Sequence, residues 1–174
     1  MSTAEPGLPS APMISACFNE LFSSRYNVHM GGGADEPAYQ PAGQDSVARI
    51  RYRSDYVHSA LHEAAHWCIA GSHRRQLVDY GYWYRPPPRG LQAQQAFARV
   101  EAKVQGLEAI FSEAVALPFR VSIDDVDRLL DFEAEFTSCV ELERARWRGR
   151  GLPARAREFE QALIHLTCEP AGRG

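Results

Sequence analysis

His62-Glu63-Ala64-Ala65-His66 sets two imidazoles four residues apart, inside a stretch from Ser59 to Cys68 that reads as helix. Four residues make about one turn, so both rings leave the same face and can reach one metal ion. Glu63 sits one step round the helix, where it can hydrogen-bond a metal-bound water or a substrate rather than bind the metal itself. The alternative is a solvated helix carrying two stray histidines. Against it stand Leu61, Ala64, Ala65, Cys68 and Ile69, whose apolar side chains imply burial.

Two histidines hold a metal poorly in water, so a third protein ligand is expected. Glu101 is the best candidate, on a predicted helix whose apolar face includes Phe97 and Val104. A carboxylate on that face needs a partner, and a cation is the most economical one. Glu108, seven residues on, is the reserve candidate, as ligand or as acceptor behind a ligand. The competing reading of Glu101 is a surface carboxylate paired with Lys103 or Arg99. His58 lies one turn before His62 and could line the pocket, add a ligand or be a hydrogen-bonded neighbour. Asp79, Asp35 and Glu36 are candidate acceptors for the outer nitrogens of His62 or His66. His29, His73 and His165 have no supporting pattern. Such a donor set leaves the metal open. Zinc with Glu63 as base gives peptide hydrolysis, and ferrous iron with two histidines and a carboxylate gives dioxygen chemistry.

These residues must be positioned by a mainly helical frame. The 174 residues suit one domain with one core, and 45% hydrophobic with 24% charged residues is ordinary for a soluble protein. A net charge of −3 argues against nucleic-acid binding through the whole surface. No apolar run is long enough to span a membrane. Four cysteines without a C-x-x-C pair fit reduced, mostly buried thiols and a cytoplasmic setting. Residues 1–12 read as a disordered leader and 13–170 as a single domain. Helical periodicity predicts helices over 13–24, from about Asp55 (Ser54 as N-cap, Gly71 as stop), over 92–115, 132–148 and 154–167. A further helix is expected from a capping box at Ser122 and Asp125 through Leu129 and Leu130. A short strand is expected from Tyr26 to Met30, ended by Gly31-Gly32-Gly33, and partial strand character over Ser46–Arg53. Asp35 to Ala42 reads as an extended segment or loop. Tyr80 to Tyr84 with Pro86-Pro87-Pro88 make a stiff aromatic loop, either packing or pocket wall. Arg144, Arg146, Arg148, Arg150, Arg155 and Arg157 form a basic stretch that either docks an acidic partner or is a solvated face balanced by Glu141, Glu143, Glu158 and Glu160. The class is α+β, mainly helical, with a small sheet.

The run from His62 to Gly71, then Arg74 to Tyr84, closely resembles the bacterial elongation factor P hydroxylase family, as do Asp35 to Ala42 and Val100 to Gln105. A weaker likeness appears from Gly151 to Leu163. The resemblance is dense over about 33–120, and the Pro86-Pro87-Pro88 loop and the last third depart from it. It implies an enzyme that hydroxylates a lysine of elongation factor P after that lysine has been extended by a lysyl group. It also implies a fold like that of His-Glu-x-x-His metallopeptidases, put to oxidative use. By this likeness His62, His66 and Glu101 are ligands of a divalent metal, with Fe(II) the natural ion for oxygen insertion and dioxygen the oxidant. No role for Glu63 follows from it; in a hydroxylase this residue would orient a metal-bound water or move a proton. A zinc-dependent peptidase is the alternative, on the five-residue motif alone. A modified lysine is long and cationic, so its pocket should offer carboxylates and aromatic walls, with Asp35, Glu36, Asp79 and Tyr80 to Tyr84 as candidates.

Overall fold

Arginines alternate with apolar residues from Ala48 to Arg53, and this period of two makes a half-buried strand. In the computed structural model, which describes residues 8–82, 90–123 and 130–168, that strand (β3) is the centre of a three-stranded sheet. It pairs in parallel with β1 (Val28–Ala34) and antiparallel with β2 (Ala38–Gln40). Ala48, Ile50 and Tyr52 face inward beside Val28, Met30 and Tyr39. The three glycines do not end β1, as expected, but lie within it. A Cβ on Gly32 would sit 2.5 Å from the Ser54 carbonyl oxygen and 2.6 Å from the Tyr52 ring, so only glycine lets the strand pass. The register slips between Gly31 and Ala34, and this irregularity absorbs the remaining residues.

Five helices complete the single domain among the described residues: α1 (Ala11–Tyr26), α2 (Val57–Ile69), α3 (Leu91–Ala114), α4 (Leu130–Arg150) and α5 (Ala154–Cys168). The first begins at Ala11, with Pro12 in its first turn, two residues before the expected start. It also runs on to Tyr26, which therefore belongs to helix and not to strand. Ser54 does not cap α2. It adopts a left-handed conformation, bonded to Gly33 and Ala34, and the helix opens three residues later. Ser122 is likewise not seen opening a helix: Gln105 holds it through reciprocal side-chain to backbone bonds of 2.8 and 3.1 Å. Asp125 and Leu129 of that expectation, and Trp83 to Pro88 of the aromatic loop, lie outside the described residues, as do residues 1–7.

The helices meet in an aromatic core. Trp67 of α2 contacts Phe18 and Phe22 of α1 at ring-centroid distances of 5.0 Å, and Tyr26 at 5.2 Å. Phe159 of α5 joins Phe18 to Phe111 of α3 through edge-on contacts. Asn19 ties α1 to the sheet by accepting from the Met30 N–H and donating to its carbonyl. Behind the last turn of α2, Arg155 donates to the carbonyls of Cys68 (3.0 Å) and Ala70 (2.6 Å) and lies over the Trp67 ring. A cation at a helix C-terminus meets carbonyls that have no partner in the helix. On the far side of α3, Gly106 lets α4 approach so closely that a Cβ would meet the Arg144 backbone nitrogen at 2.8 Å. Three of the six arginines of the basic stretch pair with carboxylates: Arg144 with Glu113 and Glu141, Arg146 with Glu143, Arg148 with Glu160 and Glu113. Those three fit the balanced face, while Glu158 pairs with Arg25 outside the stretch.

Candidate metal centre

One face of α2 carries a histidine on each turn, at 58, 62 and 66, and faces two glutamates seven residues apart on α3. The contacts run in opposite senses along the two helices. His66 meets Glu101, His62 meets both Glu101 and Glu108, and His58 meets Glu108. Seven residues make about two turns, so both carboxylates leave α3 on the same side as the histidine row they oppose.

At one end of this row, the Nε2 atoms of His62 and His66 lie 3.5 and 3.3 Å from the two oxygens of Glu101. The imidazole rings are 4.8 Å apart and steeply inclined, so their edges converge rather than stack. One donor atom from each of the three residues lies within 4.8 Å of the others, a spacing that could hold a metal ion. At the other end, His62 Nδ1 is 2.8 Å from Glu108 Oε2. A proton on Nδ1, given to Glu108, leaves Nε2 as the lone-pair donor facing Glu101. Glu108 thus stands behind a candidate ligand, the second of the two roles open to it. His58, half-exposed, reaches the other Glu108 oxygen at 3.8 Å and is a neighbour rather than a member of the group.

Glu63, Glu101 and Glu108 are all buried, with 7%, 9% and 5% of their surface exposed. No lysine or arginine among the described residues pairs with any of them. Burial alone would raise the Glu101 and Glu108 carboxyls. The bond and charge of His66 hold Glu101 below its usual range, and bonds from His58 and His62 do the same for Glu108. Burial opposes a charge on His62 too, yet the bond to Glu108 and the charges of Glu108, Glu101 and Glu63 raise its pKa to about 10. Glu63 lacks such support. Burial raises its carboxyl, with the two imidazoles opposing only in part. The alternative pairing of Glu101 with Lys103 or Arg99 is not found.

A third layer closes the site. Tyr80 stacks on His66 at 5.9 Å with ring planes 8° apart, and on its other side against Tyr39 at 4.2 Å and 9°. Tyr82 lies 6.1 Å from the His66 ring with the Arg74 guanidinium over it. The sequence offered Tyr80 as a pocket wall within an aromatic loop but gave no sign that Tyr39 stacks on it. No spacing rule joins residues forty positions apart. Asp79 does not reach His62 or His66, because its Oδ1 accepts the Tyr39 N–H at 2.8 Å and so caps the free edge of β2. Asp35 and Glu36 are exposed and lie outside the histidine and glutamate group, as do His29, His73 and His165.

Two imidazoles and a carboxylate converging between packed helices are what a metal-dependent enzyme requires. Comparison with known proteins narrows that class. Residues 17–171 match the elongation factor P hydroxylase family. A relative from Haemophilus influenzae, the elongation factor P lysine hydroxylase, is 37% identical over 152 residues, spanning 87% of this chain and 85% of its own. The chain belongs to the elongation factor P hydroxylase family. The peptidase reading of the five-residue motif gains no support from either match. Among the described residues, no helix is long and apolar enough to cross a membrane.

Proposed function

We propose that the protein is a protein-lysine hydroxylase acting on elongation factor P, on a lysine already extended by a lysyl group. His62, His66 and Glu101 hold the divalent metal that the reaction needs. The observation that carries this reading is the convergence of both Nε2 atoms on one buried carboxylate, in a chain of the hydroxylase family. The residues fit such an ion: three donors at suitable spacing, an acidic interior without a lysine or arginine partner, and a ligand tautomer fixed from behind. Ferrous iron held by these three side chains would supply the oxidising chemistry of non-haem oxygenases, with dioxygen as the oxidant. The balance is one oxygen atom into a lysine C–H bond and the other into water, with two electrons and two protons from an external reductant.

The remaining work falls to the chain. His62 and His66, one turn apart on a buried helix, hold their Nε2 atoms fixed, and Glu108 keeps the His62 ring from turning. Glu63 is the catalytic carboxylate: it faces the same space from the next position round α2 and is poised to hold or release a proton there. Tyr39, Tyr80 and Tyr82 exclude water from one side. The scaffold is read as that of His-Glu-x-x-His metallopeptidases turned to oxidation. Its protein substrate places the reaction in the cytoplasm, with no membrane or nucleic-acid partner.

The test is the intact mass of lysyl-modified elongation factor P. It is measured after incubation with protein loaded anaerobically with Fe(II) and then given air and reductant. A gain of one oxygen is expected from the wild type and none from His62→Ala, His66→Ala or Glu101→Ala. An unchanged mass with iron fully bound overturns the proposal, and so does full activity in the triple-alanine variant.

A further inference from the structure

Two polar groups beside the centre make no hydrogen bond with the described residues. Glu101 faces the two imidazoles, Glu108 is bonded to His62 and approached by His58, and Asp79 takes the Tyr39 N–H. The Glu63 carboxylate, in a residue 7% exposed, makes no hydrogen bond with the described residues. The Tyr80 hydroxyl, in a residue only 3% exposed, also finds none. Buried polar atoms without partners are uncommon and costly, and they mark places where something else is bound.

These two groups border the same space. Glu63 and His66 are neighbours three residues apart on the surface of α2, so a ring stacked on His66 also flanks Glu63. The position of Tyr80 is not incidental packing. Asp79 and Tyr80 are consecutive non-glycine residues in the left-handed region, with φ of 46° and 59°. Such backbone costs energy and persists only where its surroundings impose it. Here they do, through the Asp79 bond to Tyr39, the Tyr39 ring stack, and Arg74 Nη1 donating to the Tyr80 carbonyl at 3.0 Å.

We propose that the Tyr80 hydroxyl and the Glu63 carboxylate together seat the nitrogen-bearing end of the substrate lysine side chain, with Tyr80 a specificity-determining residue that no motif identifies. Both groups offer oxygen lone pairs to N–H donors, and the tyrosine rings beside them suit the methylene stem and a cation. This rests on the hydroxylase reading and deepens it, assigning Glu63 a contact with substrate as well as its proton.

Tyr80→Phe keeps the ring stack and removes only the oxygen. Three measurements together test the seat. Anaerobic binding of lysyl-modified elongation factor P to the metal-loaded protein should weaken 10- to 100-fold, and kcat/KM should fall by a similar factor, mostly through KM. Metal affinity should stay within twofold, and the melting temperature should hold or rise, because a buried hydroxyl without a partner has been removed. Adding Glu63→Gln to Tyr80→Phe should cost less than the two single losses summed, as for groups sharing one ligand. Unchanged substrate binding overturns the proposal. A parallel loss of metal affinity also overturns it, because Tyr80 would then act through His66, and so does a lowered melting temperature, which makes it a structural prop. Should the wild type bind the substrate and fail to oxidise it, the hydroxylase reading fails while the binding arm still judges the seat.

Discussion

Replacing Glu108 with glutamine tests the electrostatics of the centre more sharply than removing a ligand. The amide oxygen can still accept from His62 Nδ1, so the ring keeps its orientation, but the charge that holds a proton on it is gone. In the metal-free wild type that proton is held with a pKa of about 10, some three units above neutrality. A metal binding at pH 7 must displace it, at a cost of about 4 kcal/mol. The logarithm of metal affinity should therefore rise by about one extra unit per pH unit between 7 and 9. In Glu108→Gln, burial still disfavours the charged ring and the main support for it is lost, so that extra slope should vanish. The same charge also makes the neutral ring a better donor, and its loss should cost about 10- to 100-fold in limiting affinity at high pH. The two curves should therefore cross between about pH 8 and 9, with the variant binding about 10- to 100-fold more tightly at pH 7. Competition with a chromophoric chelator, using Zn(II) or Co(II) across that range, measures both slopes. Parallel lines would refute the reasoning, since Glu108 would then not be what keeps His62 protonated.

Without metal, the raised His62 adds stability that is full below its unfolded pKa of about 6.5 and is lost as pH rises through about 10. The depressed Glu101 and Glu108 add stability above their usual range that is lost in acid. The chelator-treated protein should therefore melt highest near pH 5 to 6.5 and lose ground steadily towards pH 10, and saturating metal should flatten the alkaline limb in thermal scans. Gly106→Ala should destabilise by about 1–2 kcal/mol despite alanine's better helix propensity, because its methyl meets the α4 backbone. A melting temperature lower by roughly 2–8 °C, with metal affinity intact, is expected by calorimetry. Arg155→Met removes the bonds to the α2 carbonyls and the contact with Trp67, so a loss of about 2–3 kcal/mol should appear in urea unfolding.

The parts of the site written in one helix were legible, and the parts joining segments were not. His62 and His66 share a face because four residues make a turn, and Glu101 lay on a face too apolar for a free carboxylate. Both arguments need only local geometry. The choice between roles for Glu108 needed the distance to His62 Nδ1, which depends on how α2 and α3 are set side by side. The start of α2 went astray because the sheet intervened. Ser54 looked like a cap, but the strand pairing of Gly33 and Ala34 claims its backbone. The triple glycine reads as a stop on any local rule, and only the approach of Tyr52 and Ser54 explains why a strand runs through it.

The same distinction bears on how one motif serves different reactions. His-Glu-x-x-His fixes two donors and puts a carboxylate beside them, and nothing in it selects water or dioxygen, peptide or side chain. Selection has to come from what surrounds Glu63. In this chain the surroundings are an aromatic layer of Tyr39, Tyr80 and Tyr82, brought against His66 by strained backbone at Asp79 and Tyr80 and by a bond to the edge of β2. That layer is built from the sheet and the 74–82 turns, not from α2 and α3. Substitutions within it should therefore alter which substrate is accepted while leaving the ion in place, whereas substitutions along the α2–α3 row should do the reverse.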